Sequence, residues 1–333
     1  MKQGFPESKG YKVLVQCCTY NQSKYIEDTL KGFAMQQTNF PFVCVVMDDA
    51  STDGEQEVLK RWIENHCNAE DIETYDNDDA IILMAKDKSN ANCMYAIYLL
   101  KKNLYEQPRK QELFKMWREH CEYETLCEGD DYWIHPKKLQ LQTTFLDSHP
   151  DYGLVYTQCK RFIQEEQAFS DKIGGGTSEE FIDILSDNPI PTLTTMYRAD
   201  LWQKYAEEIN PLSKNWKMGD YPFWVWISAN SKVKAMPIQS AVYRILQNSA
   251  SHGDYEHMIS FVKSIYDIRS FYCEYYGIEL LSFYDSLYSR LFDIAFYHKK
   301  TKDALLYYKR IPVPTIKQQI KHMIAVVKCA FGL

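Results

Sequence analysis

The sequence predicts an α/β protein, a doubly wound, mostly parallel sheet over residues 1–252 followed by a helical C-terminal region over 253–333. Three observations predict it. Short apolar runs alternate with stretches of helical periodicity through the first half of the chain. The most polar loops fall directly after the apolar runs, where the carboxyl ends of parallel strands would lie. From Asp254 onward the strand pattern stops and a tyrosine-rich helical pattern takes over.

Tyr11–Cys17 and Phe42–Met47 are apolar, β-branched runs of the kind buried on both faces of a parallel sheet. Between them, Ser23–Gln37 carries Tyr25, Ile26, Leu30, Phe33 and Ala34 at helical spacing. After the second run, Asp53 and Gln56 form a capping-box pattern ahead of a helix whose stripe is Val58, Leu59, Trp62 and Ile63. Ala80–Ala85 reads as a third strand and Ser89–Lys102 as the next helix. Residues 103–121 delay the rhythm and read as a helical surface insertion. Tyr123–Cys127 is the fourth strand, and Pro136 opens another helix through Leu139, Thr143 and Leu146. Beyond a further strand at Tyr152–Thr157 lie a Gly174–Gly176 loop, a helix capped by Thr177 and Glu180, and an extended Pro191–Tyr197. Leu281–Arg310 reads as a helical hairpin.

Hydrophobic residues form 45% of the 333-residue chain and charged residues 25%, ordinary for a folded globular protein. With 25 Tyr, 16 Phe and 7 Trp, disorder is excluded. The ten cysteines include the adjacent Cys17 and Cys18 and contain no Cys-x-x-Cys pair, which argues against a zinc knuckle or a disulfide framework. Met1–Lys12 lacks the apolar core of a secretion signal and no run is long enough to span a bilayer, so the expectation is a cytoplasmic protein. The net charge of −7 is unevenly placed: between His298 and Leu333 there are eight Lys or Arg and one acid, Asp303. Such a basic end on an acidic body points to an anionic surface, with nothing that suggests nucleic acid.

Three loops carry the chemistry. The first strand ends in Cys18-Thr19-Tyr20-Asn21, the second in Asp48-Asp49-Ala50-Ser51-Thr52-Asp53, and the fourth in Glu128-Gly129-Asp130-Asp131-Tyr132-Trp133. Two acidic clusters at neighbouring strand ends repel one another unless a cation or donors intervene. A hard divalent ion, Mn²⁺ or Mg²⁺, suits such carboxylates and leaves sites for phosphate oxygens. Read singly, each cluster is also what turns and helix caps use. No Gly-x-Gly-x-x-Gly, P-loop, His-Glu-x-x-His or Gly-x-Ser-x-Gly pattern occurs, so dinucleotide, triphosphate, zinc-hydrolase and serine-hydrolase readings fail.

These motifs, in this order, resemble the family 2 inverting glycosyltransferases of the GT-A fold. The likeness extends through Pro136–Gln140, Asp151–Leu154, Met218–Pro222 and Tyr243-Arg244, and covers about Tyr11 to His252. It implies a nucleotide-diphospho-sugar donor and a glycan or lipid-linked glycan acceptor in polysaccharide assembly. It further implies that Cys18, Tyr20, Asp49, Asp130 and Arg244 bind the nucleotide, with Asp49 accepting from the N–H of uracil. Asp131, with His252, would hold the metal, and Asp220 would be the general base. The acidic motif is Glu-Gly-Asp-Asp where the family commonly has Asp-x-Asp-Asp.

Two rival readings use the same residues differently. A sugar nucleotidyltransferase would need a Gly-rich, basic loop after the first strand, and Cys-Thr-Tyr-Asn-Gln is neither. A non-catalytic sugar-nucleotide or glycan binder would have no use for both Asp131 and Asp220. Outside the resemblance, Thr315–Leu333 places Ile316, Ile320, Met323, Ile324, Val327 and Phe331 on one helical stripe flanked by Lys317, Lys321 and Lys328. That pattern fits a helix docked on the protein's own core nearly as well as one lying in an anionic membrane interface, and the basic charge and a lipid-linked acceptor tip the expectation to the membrane, at the inner face of the cell membrane.

Overall fold

The computed structural model describes residues 10–105, 109–246, 254–279 and 285–330. The chain divides into two compact units, residues 1–210 with 226–245 and residues 211–225 with 246–333. All the strands among the described residues belong to the first unit.

In chain order that unit begins with β1 (Val13–Thr19), α1 (Ile26–Ala34), β2 (Phe42–Asp48) and α2 (Glu55–His66). It continues through β3 (Glu73–Asp76), β4 (Ala80–Lys86), β5 (Cys93–Leu100), α3 (Arg109–Arg118) and β6 (Tyr123–Leu126). Next come β7 (Tyr132–Trp133), α4 (Lys138–Ser148), β8 (Tyr152–Ile163), β9 (Ala168–Phe169) and α5 (Phe181–Asp187). The unit closes with β10 (Thr195–Arg198), α6 (Asp200–Ile209), the end of α7 (Asp220–Asn230) and β11 (Lys232–Ile245).

The sheet runs β3-β4-β5-β2-β1-β6-β10-β8-β11-β7, with β9 on β8. Its centre, β5-β2-β1-β6, is parallel throughout. Strands β1 and β2 are almost wholly buried because helices cover both faces, which is why their sequences are continuous apolar runs. On one face Ile26, Leu30 and Phe33 of α1 and Leu59, Trp62 and Ile63 of α2 pack with Val13, Val15, Cys44 and Val46. On the other, Phe114 and Trp117 of α3 pack with Leu14, Val43, Val45 and Met47. Antiparallel strands extend the parallel centre on both sides.

Four local expectations are corrected. Within residues 89–102, read as a helix, Cys93–Leu100 form β5, paired antiparallel with β4 and parallel with β2. The connection is a tight turn in which Asp87 Oδ1 accepts from Ser89 N at 2.8 Å and Asn90 N at 2.9 Å. Residues 103–121 are no surface insertion, since Phe114 and Trp117 of α3 are buried in the core. Asp53 and Gln56 make no capping box. Gly54 is the cap residue of α2, at φ 90°, and Gln56 Nε2 instead reaches Asp48 Oδ1 at 2.6 Å. No side chain caps α5 either: Glu180 precedes it without a capping hydrogen bond.

The second unit holds the start of α7, then α8 (Tyr255–Tyr276), α9 (Asp285–Tyr297), α10 (Thr301–Tyr308) and α11 (Ile316–Ala330). Tyr255, Ile259, Tyr266, Leu291, Phe292 and Ala304 form a core of its own. The helical hairpin expected over 281–310 is α9 and α10, within the described residues. All ten cysteines are free, and no helix among the described residues is long and apolar enough to cross a membrane.

Candidate active site

At the carboxyl edge of the parallel centre, the loops after β1, β2 and β6 are fastened into one cradle. The first two are laced together across about thirty residues of sequence. Asn21 N donates to Ser51 Oγ at 2.8 Å, and Asn21 Oδ1 accepts from Thr52 N at 2.8 Å. Ser23 N donates to Asp53 Oδ2 at 2.9 Å. Asn21 sits at φ 55°, a left-handed turn that Asn tolerates because its short amide bonds locally. The Ser-Thr-Asp run is thus the fastener of the first loop.

Glu55 completes the joint. Its buried carboxylate accepts from the Thr19 hydroxyl, from Gln22 N at 2.8 Å and from Ser51 Oγ at 2.9 Å. Burial pushes this carboxyl above the ordinary range, against the pull of those three donors. Between the joined loops Tyr20 is left 48% exposed, an aromatic face held open on a fixed backbone. Asp49 is buried; its Oδ1 accepts from Leu104 N at 2.6 Å, and Asn103 Nδ2 donates to its carbonyl at 2.8 Å. The chain after β5 therefore fixes the direction of the Asp49 carboxylate.

The acidic turn after β6 backs onto the first loop. Gly129 N donates to Cys18 O at 3.1 Å, and the Thr29 hydroxyl lies 2.6 Å from Asp131 O and 3.0 Å from Gly129 O. Arg244 of β11 grips the same turn. Its backbone N donates to Asp131 Oδ1 at 2.7 Å, Nη1 to Asp130 O at 2.6 Å, and Nη2 to Asp28 Oδ2 at 3.0 Å. The guanidinium lies between the rings of Tyr25 and Tyr132, 4.6 and 5.1 Å from their centroids. Arg244 is therefore a buried clamp between α1 and the turn.

Desolvation raises both carboxyls of that turn, and Asp131 is pushed further by its neighbour Asp130. A buried acid beside a half-buried one, both raised, forms a donor pair that a hard cation would relieve. Among the described residues no three His, Cys, Asp or Glu converge on one point, so the protein offers a pair rather than a closed cage. That suits an ion which keeps most of its positions for water and phosphate oxygens.

The structure thus gathers Cys18, Tyr20, Asp49, Asp130, Asp131 and Arg244 at one edge of the first unit. Asp220 is the first residue of α7 and lies in the second unit, where its Oδ1 accepts from Tyr221 N at 2.7 Å. His252 lies outside the described residues. The pattern reading missed Gln22, Asp28, Thr29, Glu55 and Asn103. Each acts by holding another loop, and only Glu55, adjoining the Ser-Thr-Asp-Gly run, stood near a visible signal.

Residues 15–81, which run from within β1 through β2 and include the loops after both, match the family described as Glycosyl transferase family 2. That match covers 67 of the 333 residues. Two curated relatives, the uncharacterized proteins Mb1547 of Mycobacterium bovis and Rv1520 of Mycobacterium tuberculosis, are each 25% identical over 241 residues, covering 71% of this chain and 60% of theirs. The chain therefore spans well under the full length of those relatives. Among solved structures, residues 1–349 of TarS from S. aureus, crystallised with UDP-GlcNAc, align over 96% of this chain and 92% of theirs at 16% identity and a TM-score of 0.50. The α/β fold is that of the GT-A glycosyltransferases, and within it the family 2 segment supplies the first two loops of the cradle.

Proposed function

We propose that this protein is a family 2 glycosyltransferase that transfers a sugar from a UDP-linked donor to a hydroxyl of a glycan or lipid-linked glycan, with inversion at the anomeric carbon. The observation that carries the proposal is the cradle itself: a fixed carboxylate and an exposed aromatic ring beside a desolvated acid pair, on loops laced together by their own side chains. Asp49 accepts from the N3–H of uracil, an edge that adenine does not offer. Tyr20 presents a ring to the base. Asp130 faces the ribose, and Asp131 would hold Mn²⁺ or Mg²⁺, which when bound neutralises charge developing on the leaving diphosphate. Cys18 and Arg244 keep the acidic turn at the nucleotide. Asp220 takes the proton of the acceptor hydroxyl, a contribution of roughly 10²–10⁴-fold for a positioned base. A single base and a direct displacement invert the stereochemistry.

The test is release of nucleoside diphosphate from a panel of sugar nucleotides, with binding measured by calorimetry. UDP-sugars should turn over, UDP should bind more tightly than ADP, and Asp49→Ala should erase that preference. Asp131→Asn and excess chelator should each abolish turnover, while Asp220→Asn should bind UDP normally and lose transfer by the factor given above. Full turnover in chelator, or equal affinity for UDP and ADP, would overturn the assignment. Tight UDP binding without turnover on any donor would make the protein a binder.

A further inference from the structure

Helix α11 is docked the wrong way round for a helix that serves only its own core. The side chains that hold it in the second unit are the small and polar ones: Gln318 and Ala325 are buried, Lys321 Nζ donates to Asp293 Oδ1 at 2.6 Å, and His322 stacks on Tyr308 with ring centroids 3.9 Å apart. Positions 318, 321, 322 and 325 recur at three- and four-residue spacing and so make one face. The apolar stripe occupies the opposite face. Ile316, Ile320, Met323, Ile324 and Val327 are 75%, 49%, 60%, 42% and 55% exposed. A helix held by its own protein normally turns such a stripe inward, and contiguous exposed aliphatic surface of this kind marks an interaction site.

We infer that α11 lies in the interface of an anionic lipid bilayer, its apolar face among the acyl chains and its lysines at the headgroups. Lys317 and Lys328 are exposed along one flank of the stripe, where a helix lying flat meets phosphates. The surrounding chain is basic, with eight Lys or Arg and one acid between His298 and Leu333. A second copy of this helix would bring Lys317 and Lys328 against lysines with almost no acid in the region to receive them, whereas an anionic leaflet answers both. Fifteen residues at about 1.5 Å each make a helix of roughly 22 Å, too short to span and suited to lying in the plane. The inference stands independently of the transfer reaction.

The experiment is co-sedimentation of the full chain with phosphatidylcholine vesicles containing rising fractions of phosphatidylglycerol, at several salt concentrations. Binding should rise with phosphatidylglycerol and fall with salt. Ile320→Ser with Val327→Ser should abolish it. Lys317→Gln and Lys328→Gln should each weaken partitioning about fivefold, which is what about 1 kcal/mol per basic residue converts to. All four positions are exposed, so far-UV circular dichroism and turnover on a soluble acceptor should not change. No binding at any lipid composition, binding insensitive to the Ile320 and Val327 changes, or self-association of the full chain that those changes abolish would overturn the inference.

Discussion

A methyl group at position 129 would stand 2.2 Å from Thr19 Oγ1 and 2.5 Å from Gln22 Oε1. Gln22 can swing its amide away, but Thr19 cannot retreat, because its hydroxyl is bonded to Glu55, its Cβ stands at 2.6 Å and the turn itself is bonded to Cys18. Gly129→Ala must therefore lift the acidic turn off the first loop, carrying Asp130 and Asp131 with it. Displacements of this size at a reacting centre cost up to about 10²-fold in rate, and overpacking costs about 1–3 kcal/mol of stability. Turnover and UDP affinity should both fall, read by diphosphate release and calorimetry. Gly54 provides the control: at φ 90° with open space around it, Gly54→Ala strains only the backbone, by about 1 kcal/mol, and should leave turnover intact. At this scale the sequence displayed the acids and the glycine between them. It did not display what the glycine backs onto, because that contact joins residues about 110 apart.

Helix α3 shows the same division between the visible and the hidden. Its buried Phe114 and Trp117 follow a helical spacing that was readable, yet the surrounding charges made 103–121 look like a surface excursion. Among the described side chains those charges stay exposed, with the exception of Arg118. Its side chain, 7% exposed, pairs with the fully buried Glu124 of β6, with Nη2 at 2.9 Å from Oε1. Removing one partner strands the other in the interior, so Arg118→Met should cost about 3–5 kcal/mol in urea unfolding. Arg118→Met with Glu124→Leu should recover much of that loss. If the single and double variants are equally destabilised, the packing of α3 and not the ion pair holds the helix. Strand β5 failed in the opposite sense. Cys93–Leu100 is buried along nearly its whole length, and a continuous apolar run with Ala, Met and Leu cannot be told from a buried helix by periodicity. The polar Asp87–Asn90 turn was the available sign that a strand would follow, since an Asx turn closes a hairpin.

Across the whole molecule, fold class and the edge that carries the site follow from alternation and loop polarity, whereas the joints that make the first unit cohere do not. Lys138 is one such joint. Its ammonium is fully enclosed, 2.8 Å from Gln142 Oε1, 3.1 Å from Thr125 Oγ1 and 3.3 Å from Thr195 O, and 4.3 Å from the Trp133 ring centroid. It thereby ties α4, β6, β7 and β10 together with no carboxylate among those contacts. Burial lowers its pKa to about 7. Between about 7 and the ordinary lysine value the unfolded chain keeps a proton that the folded chain has released, so stability rises with pH across that window. Below it both states are protonated and the folded state carries the full cost of the buried charge. At about 1.4 kcal/mol per unit the rise is of the order of 5 kcal/mol. Buried thiols such as Cys17 and Cys127, raised by desolvation, work against this slope as the unfolded chain ionises. The quantity to measure is therefore the difference between wild type and Lys138→Met in urea midpoints from about pH 6 to 10. Wild type should gain on the variant as pH rises through that range. A constant difference would mean that the folded lysine stays charged and that its three oxygen partners and the indole suffice to hold the ammonium.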